Sequence, residues 1–487
     1  MTSEKPGDAV HATARAAATM PARPNLILGI CCMSLLLVGM DVTIVNVALP
    51  SIQHDLRAPL SDLQWVMDAY TIVIASLLML AGSMADRFGR RRTFQLGMVL
   101  FSLGSLLCSV ASSIEVLIIS RALQGIGASM LNPVALSIIT NTFIEPKARA
   151  RAIGVWGAVA GISMAVGPLI GGVLTQTLGW RYVFLINLPI SVAAVILTAR
   201  FVPESKAARA RALDPIGQLL VFIALACLMS AIIEGPRIGW TSGLAVSLFA
   251  ATAASVAALL IYEPRLAEPL LDLHFFRSVP FSSATLIAIC AFAAFSGFLF
   301  LNTLYLQQVR GLSAFETGLC TLPMALMAML CGPFSGHLVG HHGTRPSLLI
   351  AGTGFLVSAL MLTNLDGNSA MSMLLLAYAI FGIGLGTVNP AIANTAVSGM
   401  PKSQAGVAAA IASTSRQIGA ALGVAIAGTV VNSSRASGMA FTRATHPIWW
   451  LAAGCGAIII LLGFVTHTAW ARASTHRVEA SLLRAEG

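Results

Sequence analysis

Apolar residues along this 487-residue chain gather into fourteen stretches of about 20 residues, separated by short polar segments. They run near 26–50, 66–84, 93–112, 115–140, 152–174, 182–201, 215–233, 243–262, 281–306, 316–338, 347–364, 371–394, 405–431 and 447–470. A bilayer core ~30 Å thick takes roughly 20 apolar residues of helix to cross. Inside lipid only helices and closed barrels satisfy their own backbone. These stretches are too long and too evenly apolar for barrel strands, which alternate and run about 10 residues. The pattern predicts an all-α polytopic membrane protein with fourteen transmembrane helices.

Composition agrees: 57% of residues are hydrophobic and 10% charged, against about 25% charged in soluble domains. No sizeable soluble domain fits. Residues 1–25 contain no apolar run of the signal-peptide type, so the first stretch is expected to act as an uncleaved anchor. The net charge of +10 could suit a polyanion, but the charges are placed by topology. The even-numbered loops with their margins and both tails hold 21 Lys and Arg, the odd-numbered loops 6. By the positive-inside rule both termini are cytoplasmic, and no nucleic-acid partner is needed. All eight cysteines lie in or beside apolar stretches without a CxxC, and read as small packing residues.

The chain repeats itself. Gly125-x-Gly127-x4-Asn132-Pro133 returns as Gly382-x-Gly384-x4-Asn389-Pro390, at an offset of 257. The loop Gly82-x3-Asp86-x2-Gly89-x-Arg91 returns as Gly336-x3-Gly340-x2-Gly343-x-Arg345, at 254. Stretches 1–6 therefore correspond to 9–14, with two inserted. The expected division is a tail at 1–25, a six-helix bundle at 26–202, a linker with two extra helices at 203–280, a second bundle at 281–470 and a tail at 471–487. Like-oriented repeats are a transporter signature, with substrate held between them near mid-membrane.

The loop Gly82-Ser-Met-Ala-Asp86-Arg87-Phe-Gly89-Arg90-Arg91-Arg92 resembles the signature between the second and third helices of the major facilitator superfamily. Asp41-Val-Thr43-Ile-Val-Asn46-Val-Ala48-Leu49-Pro50 is similar to the first-helix motif of its fourteen-span drug/proton antiporters. Gly154-x8-Ser163-x3-Gly167-Pro168-x2-Gly171-Gly172 resembles the antiporter motif of exporters, with Ser163 where glycine is usual. Arg121-x2-Gln124-Gly125-x-Gly127, Trp180-Arg181 with Asn187 and Pro189, and Arg416-Gln417-x-Gly419 match the same branch, while Trp65-x2-Asp68-x-Tyr70 and Glu234-Gly-Pro resemble antibiotic exporters of the methylenomycin-resistance type. The resemblance implies two six-helix bundles plus two inserted helices, proton-coupled export, and a coupling role for Asp41 and Arg121.

The residues themselves leave alternatives. A charged Asp at a helix centre costs about 2.5–3.5 kcal/mol on insertion scales. Asp41 is either a proton carrier facing a cavity or partner, or a buried acid bonded to backbone. Arg121 either tunes that acid or snorkels outward. Asp68 is an exposed cap or an outer proton or substrate site. Arg416 binds an anionic group or pairs with carbonyls, Asp68 or Asp41.

The loop Gly82, Asp86, Arg87, Gly89 and Arg90 is expected to work as a latch, its acid meeting a helix N-terminus or an arginine. Gly154, Ser163, Gly167, Pro168, Gly171 and Gly172 form a hinge that permits close packing. Polar or soft residues within stretches mark a candidate cavity: Asn46, Gln124, Asn132, Asn302, Gln307, Met324, Asn389 and Arg416. No metal site is expected of His337, His341 and His342, and no glycine-lysine phosphate loop occurs.

The expectation is a monomeric secondary transporter of the bacterial cytoplasmic membrane, without cofactor. It would export drugs, antibiotics or other amphipathic compounds in exchange for protons. An exporter or importer of one metabolite or siderophore on the same scaffold is the alternative; a membrane enzyme or sensor is the alternative of another class.

Overall fold

The computed structural model describes residues 23–207, 213–266, 272–398, 400, 404–436 and 438–486. The N-terminal tail expected at 1–25 lies almost wholly outside them. The helices are α1 Pro24–Leu56, α2 Leu60–Phe88, α3 Arg90–Ser109, α4 Ile114–Thr142, α5 Pro146–Thr177, α6 Tyr182–Phe201, α7 Pro215–Ile238 and α8 Gly243–Tyr262. There follow α9 Val279–Leu304, α10 Ala314–His342, α11 Thr344–Leu362, α12 Met371–Val397, α13 Ala405–Ala436, α14 Phe441–Val465 and α15 Ala469–Glu486. Thirteen are long and apolar enough to cross a membrane. The fourteenth expected span is α3, whose first turn carries Arg90, Arg91 and Arg92 and so dilutes its apolar character.

The repeat is visible in the packing. Within the first copy α1 packs on α5, α2 and α3 on α4, and α3 on α6. Adding eight to every number gives the second copy: α9 on α13, α10 and α11 on α12, α11 on α14. The duplicated glycines explain why. A Cβ on Gly125 would strike the Tyr70 carbonyl of α2, and one on Gly127 would strike Phe101 of α3. In the second copy Gly382 meets the Met324 carbonyl of α10, and Gly384 meets Ala351 and Phe355 of α11. The motif is a backbone seat on which two neighbouring helices rest.

The bundles meet along two main seams, α5 against α10 and α2 against α13. Both close at one end. Gln64 Nε2 of α2 donates to the Ala425 carbonyl of α13 (2.8 Å). The turn after α9 reaches α1 twice: Gln307 Nε2 donates to the Val47 carbonyl (2.9 Å) and Gln308 Nε2 to Gln53 Oε1 (2.7 Å). Gly172 lies on Ala314 and Phe315, and Gly318 on the Pro168 carbonyl. At the other end Gly154 and Gly157 of α5 and Gly336 and Gly340 of α10 have nothing within 4 Å of a notional Cβ.

The inserted pair α7–α8 sits on one seam alone, where α7 packs on both α2 and α13. Trp65 Nε1 donates to Glu234 Oε1 (3.2 Å), and Thr429 Oγ1 to the Ile232 carbonyl (2.8 Å).

Two expectations are corrected. The last span begins at Phe441 rather than near 447, because Pro447 is accommodated inside the helix. The expected tail at 471–487 continues as α15, which folds back under the second bundle: Ala471, Ser474 and Val478 are buried, and Ser474 Oγ accepts the Val279 amide (3.0 Å).

Gly127→Ala adds a methyl group where backbone already stands, and overpacking of this kind costs about 1–3 kcal/mol. The thermal unfolding midpoint in micelles should fall for Gly127→Ala and Gly382→Ala. It should hold or rise for Gly29→Ala, whose surroundings are open.

Candidate functional site

Five helices of the first bundle bring a polar cluster together in an otherwise apolar interior. Asp41 of α1 and Arg121 of α4 are both fully buried, with Nη1 2.6 Å from Oδ2. Gln124, one turn after Arg121, accepts from the same Nη1 (2.6 Å). Its own amide donates to Asp41 Oδ1 and to Ser105 Oγ of α3, each at 2.8 Å. Asn187 of α6 donates to Asp41 Oδ1 (3.2 Å) and Ser105 Oγ (3.3 Å). Arg121 Nε donates to the Val66 carbonyl of α2 (3.1 Å), and the guanidinium lies 4.1 Å from the centre of the Tyr70 ring. Asp41 thus accepts three hydrogen bonds. Arg121 Nη2 has no hydrogen-bond partner among the described residues and is held against the ring face instead.

Local sequence explains how each group is aimed. Arg121 and Gln124 are three apart and share a helix face. Gly104 lets α3 approach Gln124, whose backbone a Cβ there would strike, and this brings Ser105 in. Asn187 is fixed through Trp180 and Arg181: Trp180 Nε1 donates to Asp55 Oδ2 (2.9 Å), Arg181 Nη1 is 3.5 Å from the same oxygen, and Arg181 stacks on the Trp180 ring.

Among its described residues the second bundle holds no such cluster. At the positions matching Arg121 and Gln124 it has Tyr378 and Phe381, and Phe298 of α9 packs on both. Phe298 and Phe381 stack with centroids 4.2 Å apart, and Phe355 and Trp449 complete the group. One copy carries charge where the other carries aromatic rings.

Asp68 is also fully buried, two and a half turns into α2, so the exposed-cap alternative is excluded. Neither carboxyl oxygen has a hydrogen-bond partner among the described residues. One turn before it, Gln64 is bonded to α13; one turn after it, Ile72 packs with Ala421, Ala425, Leu225 and Met229. The acid therefore lies at the α2/α13 seam beneath α7.

The residues expected to form a hinge pack in two directions. Ser163 rests on Gly39, Gly167 on Thr43 and Gly171 on Ile44, all toward α1; Pro168 and Gly172 face α10. Ser163 in place of glycine is accommodated because Gly39 opposite it has no side chain. Gly154 stands free of the group.

Of the two partners expected for Asp86, an arginine is the one it meets. Asp86 Oδ1 takes Arg90 of the next turn at 3.1 Å, and Arg87 is exposed. The α3 N-terminus is capped by Glu204, whose carboxylate accepts the Arg91 and Arg92 amides at 3.0 and 3.3 Å. Gly89 has φ +115°, and a Cβ there would collide with that carboxylate. In this conformation the loop ties α2–α3 to the segment after α6 and makes no bond to the second bundle among the described residues. Gly82 is open. Asn187, Ser105 and Glu204 received no role from sequence alone, although Asn187 stood inside a quoted motif.

Of the cavity candidates, Gln124 belongs to the Asp41 cluster. Asn302 accepts the Tyr378 hydroxyl (2.6 Å) inside the second bundle, Met324 is core, and Gln307 bridges the bundles. Their polar or soft side chains are consumed by packing. Asn46 is buried and bonded to its own helix at the Val42 carbonyl (2.8 Å). Asn132 and Asn389 are half-buried. Arg416 is half-buried, donates to Ser413 Oγ (2.9 Å) and lies 6.0 Å from the Phe292 ring; it meets neither Asp41 nor Asp68 in an ion pair.

Residues 31–424 match the model of the Major Facilitator Superfamily. The chain belongs to this superfamily. It is 37% identical over 399 residues to multidrug resistance protein Stp of Mycobacterium tuberculosis, covering 82% of this chain and 74% of the relative. It is 34% identical over 436 residues to the tetracenomycin C resistance and export protein of Streptomyces glaucescens (89% and 80%), and 34% over 399 residues to the methylenomycin A resistance protein of Streptomyces coelicolor (81% and 83%). Among solved structures, a bacterial homologue of the human lysosomal transporter Spinster, described as inward-facing and unoccupied, superposes with a TM-score of 0.62 over 95% of this chain and 98% of that one, at 18% identity. The major facilitator fold and the multi-pass membrane character follow.

Removing one member of a buried pair strands the other charge, at a cost of about 3–5 kcal/mol, while removing both is far milder. Arg121→Gln should therefore lower the unfolding midpoint sharply. Asp41→Asn with Arg121→Gln should recover most of the loss, read as a double-mutant cycle.

Proposed function

We propose that this major facilitator protein exports drug-like amphipathic compounds in exchange for protons, by alternating access. The names of its relatives, which speak of multidrug resistance and of antibiotic resistance and export, support the direction and the substrate class. Residues 26–202 and 281–470 are the two rocking bodies, and 203–280 is an accessory linker with α7–α8. With both termini cytoplasmic, as the Lys and Arg bias requires, the closed end faces outward and the open end faces the cytoplasm.

The observation that carries the coupled reading is Asp68. An ionised carboxylate deprived of both water and partners is too costly to persist, so Asp68 holds a proton in this conformation. Asp41, by contrast, is paired with Arg121 and accepts from Gln124 and Asn187 as well. One bundle thus presents two buried acids in opposite surroundings, one fully partnered and one not. Rocking α2 away from α13 would open the seam and admit water to Asp68, which then releases its proton outward or reloads it. The Asp41–Arg121 cage would sense that step through α2, because Arg121 is bonded to the Val66 carbonyl two residues before Asp68. A proton moving through 100 mV supplies ~2.3 kcal/mol, enough to sustain roughly a 50-fold drug gradient at ~1.4 kcal/mol per tenfold. Asn132, Asn389 and Arg416, half-buried and not absorbed into packing, are the cavity residues that remain.

Everted membrane vesicles with an acidic lumen should accumulate a dye such as ethidium. Asp68→Asn and Asp41→Asn should each abolish gradient-driven uptake while leaving dye binding to the purified protein within a few-fold of wild type. Uptake at the wild-type rate by Asp68→Asn would remove Asp68 from the coupling. Unchanged tolerance of an overexpressing strain to dyes, quaternary amines and antibiotics would remove the drug assignment.

A further inference from the structure

At the open end of the second bundle, away from the seams and the buried acids, five helices enclose a polar pocket of about 330 Å³. Its wall includes Thr344 at the start of α11, Asn394 and Thr395 near the end of α12, His467 after α14, and Arg472 and His476 of α15, with Pro280 at the start of α9. The volume lies at the low end of small-ligand sites. The lining is rich in hydroxyl, amide, imidazole and guanidinium groups, which donate hydrogen bonds, and so is unlike a site for an apolar drug.

Two observations point to an oxygen-rich anion. Thr395 is 2% exposed, and its hydroxyl has no hydrogen-bond partner among the described residues. Buried hydroxyls are normally satisfied, and a threonine in a helix usually bonds a carbonyl one turn back. The second is the sign of the local field. The His467 imidazole is pushed below its ordinary value, first by burial and then by Arg345 and Arg472. Two arginines therefore bear on the pocket from α11 and α15, and Arg345 is steadied on the Phe464 ring at 4.8 Å. Thr344 Oγ1 lies 3.2 Å from His467 Nε2, and Arg472 Nη2 donates to the His467 carbonyl (3.3 Å), so these side chains are already oriented. The acid in the wall, Glu479, lies 3.8 Å from the His476 ring.

We propose that this pocket binds a phosphate group, either the headgroup of an anionic phospholipid or a free phosphate. Arginine with convergent hydroxyl and imidazole donors is the chemistry that recognises phosphate oxygens. Basic pockets between transmembrane helices at the cytoplasmic face suit lipid headgroups. The folding back of α15 creates the site, since Arg472, Thr475, His476 and Glu479 all come from it. The bound group ties α15 to the ends of α11, α12 and α14. This inference does not depend on the export reading.

The full-length protein in micelles is titrated with inorganic phosphate, with short-chain phosphatidylglycerol and with short-chain phosphatidylcholine, following the unfolding midpoint. A ligand that binds the native state raises the midpoint in a saturable way. The expected result is a saturable rise with phosphatidylglycerol, phosphate or both. Arg472→Gln and Thr395→Val should each weaken apparent affinity by about tenfold or more, the loss of one strong charge-assisted bond. Both should leave the unliganded midpoint and dye export unchanged. A rise with phosphatidylglycerol alone assigns the site to lipid; a rise with phosphate as well assigns it to the free anion. If Thr395→Val lowers the unliganded midpoint, Thr395→Ser, which keeps the hydroxyl, should restore both stability and affinity. The proposal fails if neither phosphate probe gives a saturable rise, if phosphatidylcholine matches phosphatidylglycerol, or if both variants keep wild-type affinity.

Discussion

The architecture of the first bundle is organised around one demand: a charged pair placed where no water reaches must be fully solvated by protein. Bringing two ions out of water costs several kcal/mol each, and their mutual attraction offsets this only with near-ideal geometry and further hydrogen bonds. Asp41 and Arg121 meet at 2.6 Å, and α2, α3, α4 and α6 each supply a group that bonds or stacks against them. Those helices cannot move independently without breaking the cage. The first bundle is consequently tied together through one buried network.

The second bundle reaches rigidity by another route. Tyr378, Phe381 and Phe298 take the places of the charged groups and hold the equivalent helices by ring stacking. The glycine seats are the same in both copies, so backbone geometry is shared while side-chain chemistry has diverged. A charge cluster in one body and aromatic packing in the other make a symmetric scaffold chemically polar.

The inserted pair α7–α8 breaks the symmetry further. It covers the α2/α13 seam, bonding α2 through Trp65 and α13 through Thr429, and leaves the α5/α10 seam bare of it. Asp68 lies beneath the covered seam. A cover of apolar helix keeps that acid from lipid and from water alike.

Long apolar spans, a duplicated helical unit and a clustering of Lys and Arg in alternate loops were legible along the chain, because each rests on a local property. Twenty apolar residues must be helix in lipid, and a repeated glycine motif must seat neighbours in the same way. The pairing of Asp41 with Arg121 was readable as a possibility from depth alone. The rest belonged to tertiary structure. Asn187, 146 positions from Asp41 in sequence, joins the cluster only because α6 lies against α3 and α1. Gln124 and Asn302 look alike as polar residues within spans, yet both are spent on internal bonds. Asp68 could be read as a cap until α13 and α7 were seen to cover it. Glu204, rather than Asp86, caps α3, because the segment after α6 passes under that helix. Hydropathy determines which segments enter the membrane; which side chains then meet is decided by helix packing, where partners such as Asp41 and Arg121 lie 80 residues apart and leave no periodic trace.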